Sequence, residues 1–155
     1  MNFVVNEWLP EYFRPEATAE EKQRLERFIK AFLQRNDTIY VRRPSEFLSK
    51  IYRYSKSYQT NTNIYLVISA FIKFILFDSQ RCRFIDDDEC DLPDAIRQQL
   101  TDGGNTVSDT YLFEAAAATI EKLIVTTDVK LRNLMQGATP YNVVLLDDFL
   151  LTYHS

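Results

Sequence analysis

With 155 residues the chain suits one domain, residues 1–155, and can bury roughly 70% of the surface its unfolded form would expose, so it needs no disulfide or metal staple. A composition that is 46% apolar and 26% charged excludes disorder, and a net charge of −4 excludes coating nucleic acid through overall positive charge, leaving only a local basic patch. Two cysteines, Cys82 and Cys90, and a single histidine, His154, exclude a zinc site.

Phe3-Val4-Val5 reads as a short buried strand that ends in Asn6-Glu7 and leads into a loop at Pro10. The opening residues through Phe13 include acids and no basic run, so they do not resemble a secretory signal, and a reducing cytoplasm is the expected compartment. Thr18 and Glu21 form a capping-box pair ahead of Leu25, Phe28, Ile29, Phe32 and Leu33, which recur at helical spacing. That helix ends near Asn36. Thr38-Ile39-Tyr40-Val41 is rich in β-branched and aromatic residues and forms a second strand, stopped by Arg42-Arg43-Pro44.

Pro44 then opens a helix with Phe47, Leu48, Ile51 and Tyr52 facing inward and Glu46, Lys50, Arg53 and Ser57 on the other side. The longest apolar run, Ile64 to Phe77, falls short of the ~20 residues of a membrane span, so a core helix is expected and no membrane partner. Arg81 to Ile85 forms a third strand, followed by an acidic turn over Asp86-Asp87-Asp88-Glu89. Asp91 and Pro93 suit a helix start, and the short helix from Asp94 to Leu100 stops at Gly103-Gly104.

Ser108 is a good N-cap for the next helix, whose buried face is Leu112, Phe113, Ala116, Ala117 and Ile120. Leu123-Ile124-Val125 is a buried strand ending in Thr126-Thr127-Asp128. Val143 to Leu146 is a fifth, with Asp147-Asp148 beginning a terminal turn or helix. Strands alternating with helices predict a three-layer α/β/α domain around a five-stranded parallel sheet.

Acids sit at several element boundaries: Glu7 beside Asn6, then Glu46, Asp109 and Asp128. If the first and fourth strands are central neighbours, their carboxyl ends meet at the topological switch point, where such sheets bind ligands. Helices starting nearby can bring Glu46 and Asp109 there. Clustered carboxylates need a counter-cation, and hard oxygen donors select Mg²⁺ or Mn²⁺. Each acid also has a plain structural role. Asp109 suits a helix first turn, Asp128 suits a helix cap, and Glu46 precedes Lys50 by four residues, the favourable direction for a surface ion pair.

Arg43-Pro44-Ser45-Glu46-Phe47-Leu48, Ser108 to Ala116 and Leu123 to Asp128, taken in order, resemble the PIN domain, the metal-dependent nuclease fold of VapC-type toxins. The resemblance implies a five-stranded parallel sheet between helices, and endoribonuclease activity in which one or two Mg²⁺ or Mn²⁺ ions activate water against an RNA phosphodiester. By that resemblance Glu46, Asp109 and Asp128 are metal ligands, and Thr126 helps hold water or a carboxylate. It also implies RNA as substrate, an antitoxin as partner where the chain is the toxin of a pair, and a homodimer.

The departure is at the first acid, where the family's aspartate is replaced by Asn6, which ligates through a carbonyl oxygen but brings no charge. Glu7 substitutes only if the backbone turns by one residue, because neighbours along a strand point to opposite faces. The alternative expectation is therefore a catalytically impaired PIN-like module that binds RNA or protein.

Arg43, Lys50, Arg53 and Lys130, among tyrosines such as Tyr52, Tyr54 and Tyr58, are the candidate RNA-binding residues, with a solvated helix face as the plain reading. A phosphoacceptor receiver ranks lower. It needs an acceptor aspartate after the third strand, for which Asp86 could serve, and a lysine after the fifth, where Asp147-Asp148-Phe149 stands instead.

Overall fold

In the centre of the molecule, strand β1 (Asn2–Val5) lies between β2 (Thr38–Arg42) and β4 (Leu123–Thr126), with β3 (Cys82–Ile85) and β5 (Asn142–Leu145) at the edges. The computed structural model describes residues 1–104 and 107–154, without the side chains of Val107 and Ser108. All strand pairs are parallel in the order β3-β2-β1-β4-β5, so the direction of winding reverses between β1 and β4. The register Phe3 with Leu123, Val4 with Ile124 and Val5 with Val125 brings the ends of those two strands level.

Alternation along β1 builds the three layers. Phe3 and Val5 face one core, with Phe28, Phe32, Phe47, Ile51, Ile75 and Phe149, whereas Val4 faces the other with Leu100, Leu112, Phe113 and Leu131. The first core is covered by α1 (Trp8–Glu11), α2 (Ala19–Gln34), α3 (Glu46–Ser55), α4 (Asn63–Phe71) and α8 (Leu146–Thr152). The second is covered by α5 (Asp94–Asp102), α6 (Val107–Ala117) and α7 (Val129–Leu134). Phe3 is fully buried and its ring meets those of Phe28, Phe32, Phe149 and Tyr153 at 5.4–6.2 Å. Truncating such a residue to alanine costs about 3–5 kcal/mol.

The helix starts follow the sequence chemistry. Thr18 Oγ1 accepts from the Glu21 amide at 3.1 Å, and Asp128 Oδ1 accepts from the Leu131 amide at 3.1 Å to cap α7. The expected cap at Ser108 falls on a side chain outside the described residues, α6 beginning at Val107.

Several local expectations are corrected. The loop around Pro10 is the helical turn α1, in which proline occupies the first turn and its missing N–H costs nothing. Pro44 does not open α3, because Ser45 caps it and Glu46 is its first residue. Tyr52 faces solvent, 39% exposed, rather than the core. Asp91 is not a helix start, since α5 begins at Asp94 with Pro93 before it. Ile120 is 91% exposed because α6 stops at Ala117, where Thr119 Oγ1 turns back onto the Ala116 carbonyl at 2.7 Å. The run from Ile64 to Phe77 buries Ile68, Phe71, Ile75 and Leu76 but exposes Leu66, Val67, Phe74 and Phe77, so it is half surface; its end, Ile72–Leu76, is π-helical.

The strand order also bears on the receiver alternative. Receivers wind as 2-1-3-4-5, which differs from the order observed. Asp86 in that alternative would be the phosphoacceptor, and here its carboxylate is held by Arg43 at 2.8 Å. Cys82 and Cys90 are free thiols, and burial pushes that of Cys82 up to about 12. Among the described residues no helix is long and apolar enough to cross a membrane.

Candidate functional site

The carboxyl ends of β1 and β4 open into a mostly polar crevice of about 680 Å³. Asn6 stands at its floor, 8% exposed, as the first residue after β1. Its backbone N–H extends the ladder to the Val125 carbonyl at 3.0 Å, and its side chain bridges two elements: Nδ2 donates to Thr126 Oγ1 at 2.8 Å and Oδ1 accepts from the Glu7 amide at 2.6 Å. Thr126, fully buried, also accepts from the Asp128 amide at 3.0 Å. Its hydroxyl therefore ties Asn6 to the start of α7 and positions both without facing the crevice itself.

Immediately after Asn6 the chain turns. Glu7 adopts helical backbone angles (φ −63°, ψ −7°) as the cap of α1, and Trp8 Nε1 pins that turn to the Val125 carbonyl at 3.0 Å. The one-residue turn that would bring Glu7 to the side of Asn6 is thus present, and both line the crevice. Asp109, from the first turn of α6, and Asp128, from the cap of α7, line it too.

Five acids in the crevice, Glu7, Glu11, Glu21, Asp109 and Asp128, face three bases, Arg14, Arg24 and Lys50. Each base is already paired. Arg14 pairs with Glu21 at 2.9 Å, Arg24 with Asp147 at 2.8 Å, and Lys50 with Glu11 at 2.5 Å and Glu7 at 3.2 Å. Among the described residues Asp109 and Asp128 have no ion-pair partner. Burial, then the neighbouring charges of Asp128 and Glu7, raises the Asp109 carboxyl above the ordinary aspartate range. Near them Tyr111 presents a buried hydroxyl without a hydrogen-bond partner, its pKa raised by burial and by the charges of Glu7, Asp109 and Glu46.

Asn6, Glu7, Asp109 and Asp128 therefore line one crevice. Glu46 is not among them: it sits in the first turn of α3, away from the crevice wall, its charge felt at Tyr111. Nor does Glu46 pair with Lys50, whose ammonium reaches across to α1 instead.

The expected RNA-binding set divides. Arg43 is engaged by Asp86 and lies over the Phe84 ring at 4.9 Å, and Lys50 is inside the crevice, whereas Arg53 and Lys130 are exposed and without an ion pair among the described residues. Tyr54 donates to Glu11 Oε2 at 3.4 Å and Tyr58 to the Phe13 carbonyl at 2.5 Å, so these hydroxyls serve the fold. Glu11, Arg14 and Arg24 were not anticipated. The signal for the first two was the four-residue spacing from Glu7 to Glu11 and the three-residue spacing to Arg14, meaningful only once the segment is helical.

The crevice offers oxygen donors of the kind a hard divalent cation takes, the unpaired carboxylates of Asp109 and Asp128 and the Asn6 amide oxygen. The arrangement is not a preformed cage, for among the described residues no three acidic, histidine or cysteine side chains stand close enough to hold a metal ion. No protein-family model matches the chain, and no curated protein matches it either.

Proposed function

We propose that this is a PIN-like, Mg²⁺- or Mn²⁺-dependent endoribonuclease acting through the crevice between β1 and β4. The observation that carries the reading is that Asp109 and Asp128 line the same crevice without an ion-pair partner among the described residues; burial first, and then the charges of Asp128 and Glu7, raises the Asp109 carboxyl. Asp109 and Asp128 would hold the ion, with Glu7 as the third carboxylate and the Asn6 amide oxygen behind it. Bound there, a divalent ion supplies Lewis acidity toward a phosphoryl oxygen and lowers the pKa of a water. Thr126 keeps Asn6 and Asp128 in place, and Arg53 and Lys130 offer charge to backbone phosphates.

The test is cleavage of single-stranded RNA by pure protein with Mn²⁺. Cleavage disappears in Asp109→Asn and in Asp128→Asn, the latter keeping an oxygen to cap α7. Wild-type protein without cleavage and without metal binding would sink the reading. A second reading, an RNA- or protein-binding module of the same fold with impaired catalysis, is favoured by the uncharged Asn6 at the crevice floor. Cleavage gained only in Asn6→Asp would support it, and robust wild-type cleavage would exclude it.

A further inference from the structure

Helix α4 and the π-helical turn that continues it, Ile72–Leu76, are apolar on two sides. Ile68, Phe71, Ile75 and Leu76 are buried in the first core, whereas Leu66 (57% exposed), Val67 (45%), Phe74 (57%) and Phe77 (67%) lie on the surface with the exposed Ala70 between them. A helix apolar on both sides belongs inside a core or against a partner, and the described residues cover only one side of this one.

The outer face is short of charge. From Ser57 to Phe77 the sequence has no acid, and its one charged residue, Lys73, holds its ammonium 5.3 Å from the centre of the Phe74 ring, so the lysine stem extends the apolar surface. Such a face gives a nucleic acid or a strongly charged peptide only one lysine to select. Its layout is instead self-complementary. Leu66 and Phe74 each stand four residues from Ala70, so two copies crossing antiparallel at Ala70 set Leu66 of each against Phe74 of the other, and the small central side chain lets the backbones approach.

We infer that this outer face of α4 and its π-helical end docks a second copy of the chain, as a two-fold dimer crossing antiparallel at Ala70. The inference is independent of the nuclease reading. With roughly 200 Å² for a whole aromatic side chain, the four exposed apolar residues present about 400–500 Å², the scale at which an apolar patch is often functional. Two copies remove roughly 800–1,000 Å² of apolar surface, and the polar rim at Asn63 and Lys73 brings the total to the ~1,200 Å² at which specific interfaces begin.

The experiment is sedimentation velocity on the full chain over a micromolar concentration series, with circular dichroism to check that each variant folds. Wild type should pass from monomer to dimer, and Leu66→Glu and Phe74→Lys should each raise the dissociation constant at least about hundredfold, because a two-fold interface loses every contact twice. The double variant Leu66→Glu/Phe74→Lys sets opposite charges against each other across the pair and should recover at least about tenfold of that loss. A wild type monomeric at every concentration would overturn the inference and leave the face to a different partner. A wild-type dimer unchanged by either single variant would overturn it by putting the interface elsewhere, and a double variant no tighter than the singles would overturn the antiparallel crossing. Should the charged variants not fold, Ala70→Cys reads the same crossing: it should form a disulfide-linked dimer on mild oxidation, whereas Leu151→Cys, exposed on α8, should not. Absence of that crosslink would likewise overturn the inference.

Discussion

Replacing Asn6 by aspartate adds one charge to the crevice floor while keeping its hydrogen bonds. A carboxylate can still accept from the Glu7 amide, now 2.6 Å from Oδ1. The contact at 2.8 Å with Thr126 reverses direction: the hydroxyl, which already accepts from the Asp128 amide, turns its proton toward the new carboxylate. Geometry is preserved and charge is not. Without metal, a like charge at ~6 Å in an effective dielectric of ~20 costs about 3 kcal/mol, and screening in an open crevice reduces this, so Asn6→Asp should destabilise the metal-free protein by about 1–3 kcal/mol. With metal the sign inverts, and Mn²⁺ affinity should rise by about tenfold to a hundredfold, the equivalent of ~1.4–2.8 kcal/mol. Denaturant unfolding with and without Mn²⁺ reads both quantities. A folded Asn6→Asp protein that binds Mn²⁺ no more tightly than wild type would refute the assignment of this floor to the metal site.

The raised carboxyl of Asp109 gives the opposite signature. Its ionised form costs stability, a cost absent below the ordinary aspartate range, growing as pH rises toward the folded-state value and fully present above it. Asp109→Asn should therefore stabilise metal-free protein at neutral pH by about 0.5–2 kcal/mol, with no gain in acid; a loss of stability at neutral pH would contradict the crowding of charge. Asp37 behaves conversely. Burial raises its carboxyl, but the Met1 ammonium at 2.8 Å, Arg35 at 2.7 Å and the Tyr153 hydroxyl at 2.8 Å outweigh it and leave the carboxyl lowered. Its contribution is complete above the ordinary value and disappears as pH falls through the folded one, so Asp37→Asn should cost about 3–5 kcal/mol at neutral pH and progressively less in acid, measured by urea unfolding across pH. If Arg53 and Lys130 meet phosphates, each change to alanine should weaken RNA binding evenly across sequences and reduce the salt slope by about one unit of log K per log salt; unchanged slopes would remove them from the interface.

Much of this architecture was legible because local and global signals agree. The apolar strands, the Thr18–Glu21 capping pair and the alternation of strands with helices all require a covered parallel sheet, and boundary acids such as Asp109 and Asp128 then fall at its switch point. What escaped depends on a turn or on a distant partner. Glu7 joins the crevice only because β1 stops at Val5 and the next residues coil into α1, a change of period too short to read from four residues. Lys50 has an eligible local partner in Glu46, yet pairs with α1, because packing of α3 against that turn offers two carboxylates instead of one. Ile120 fits a helical stripe, but the Thr119 hydroxyl accepts from the Lys122 amide at 2.9 Å and, with positive φ at Lys122, ends the helix before that stripe is complete.

The central claim is that Asp109 and Asp128 hold a divalent ion, and a crystal soaked in millimolar Mn²⁺ tests it most directly through the anomalous signal of the metal. The account predicts a peak within coordination distance of both aspartates. A crevice without a peak at saturating Mn²⁺ would contradict it.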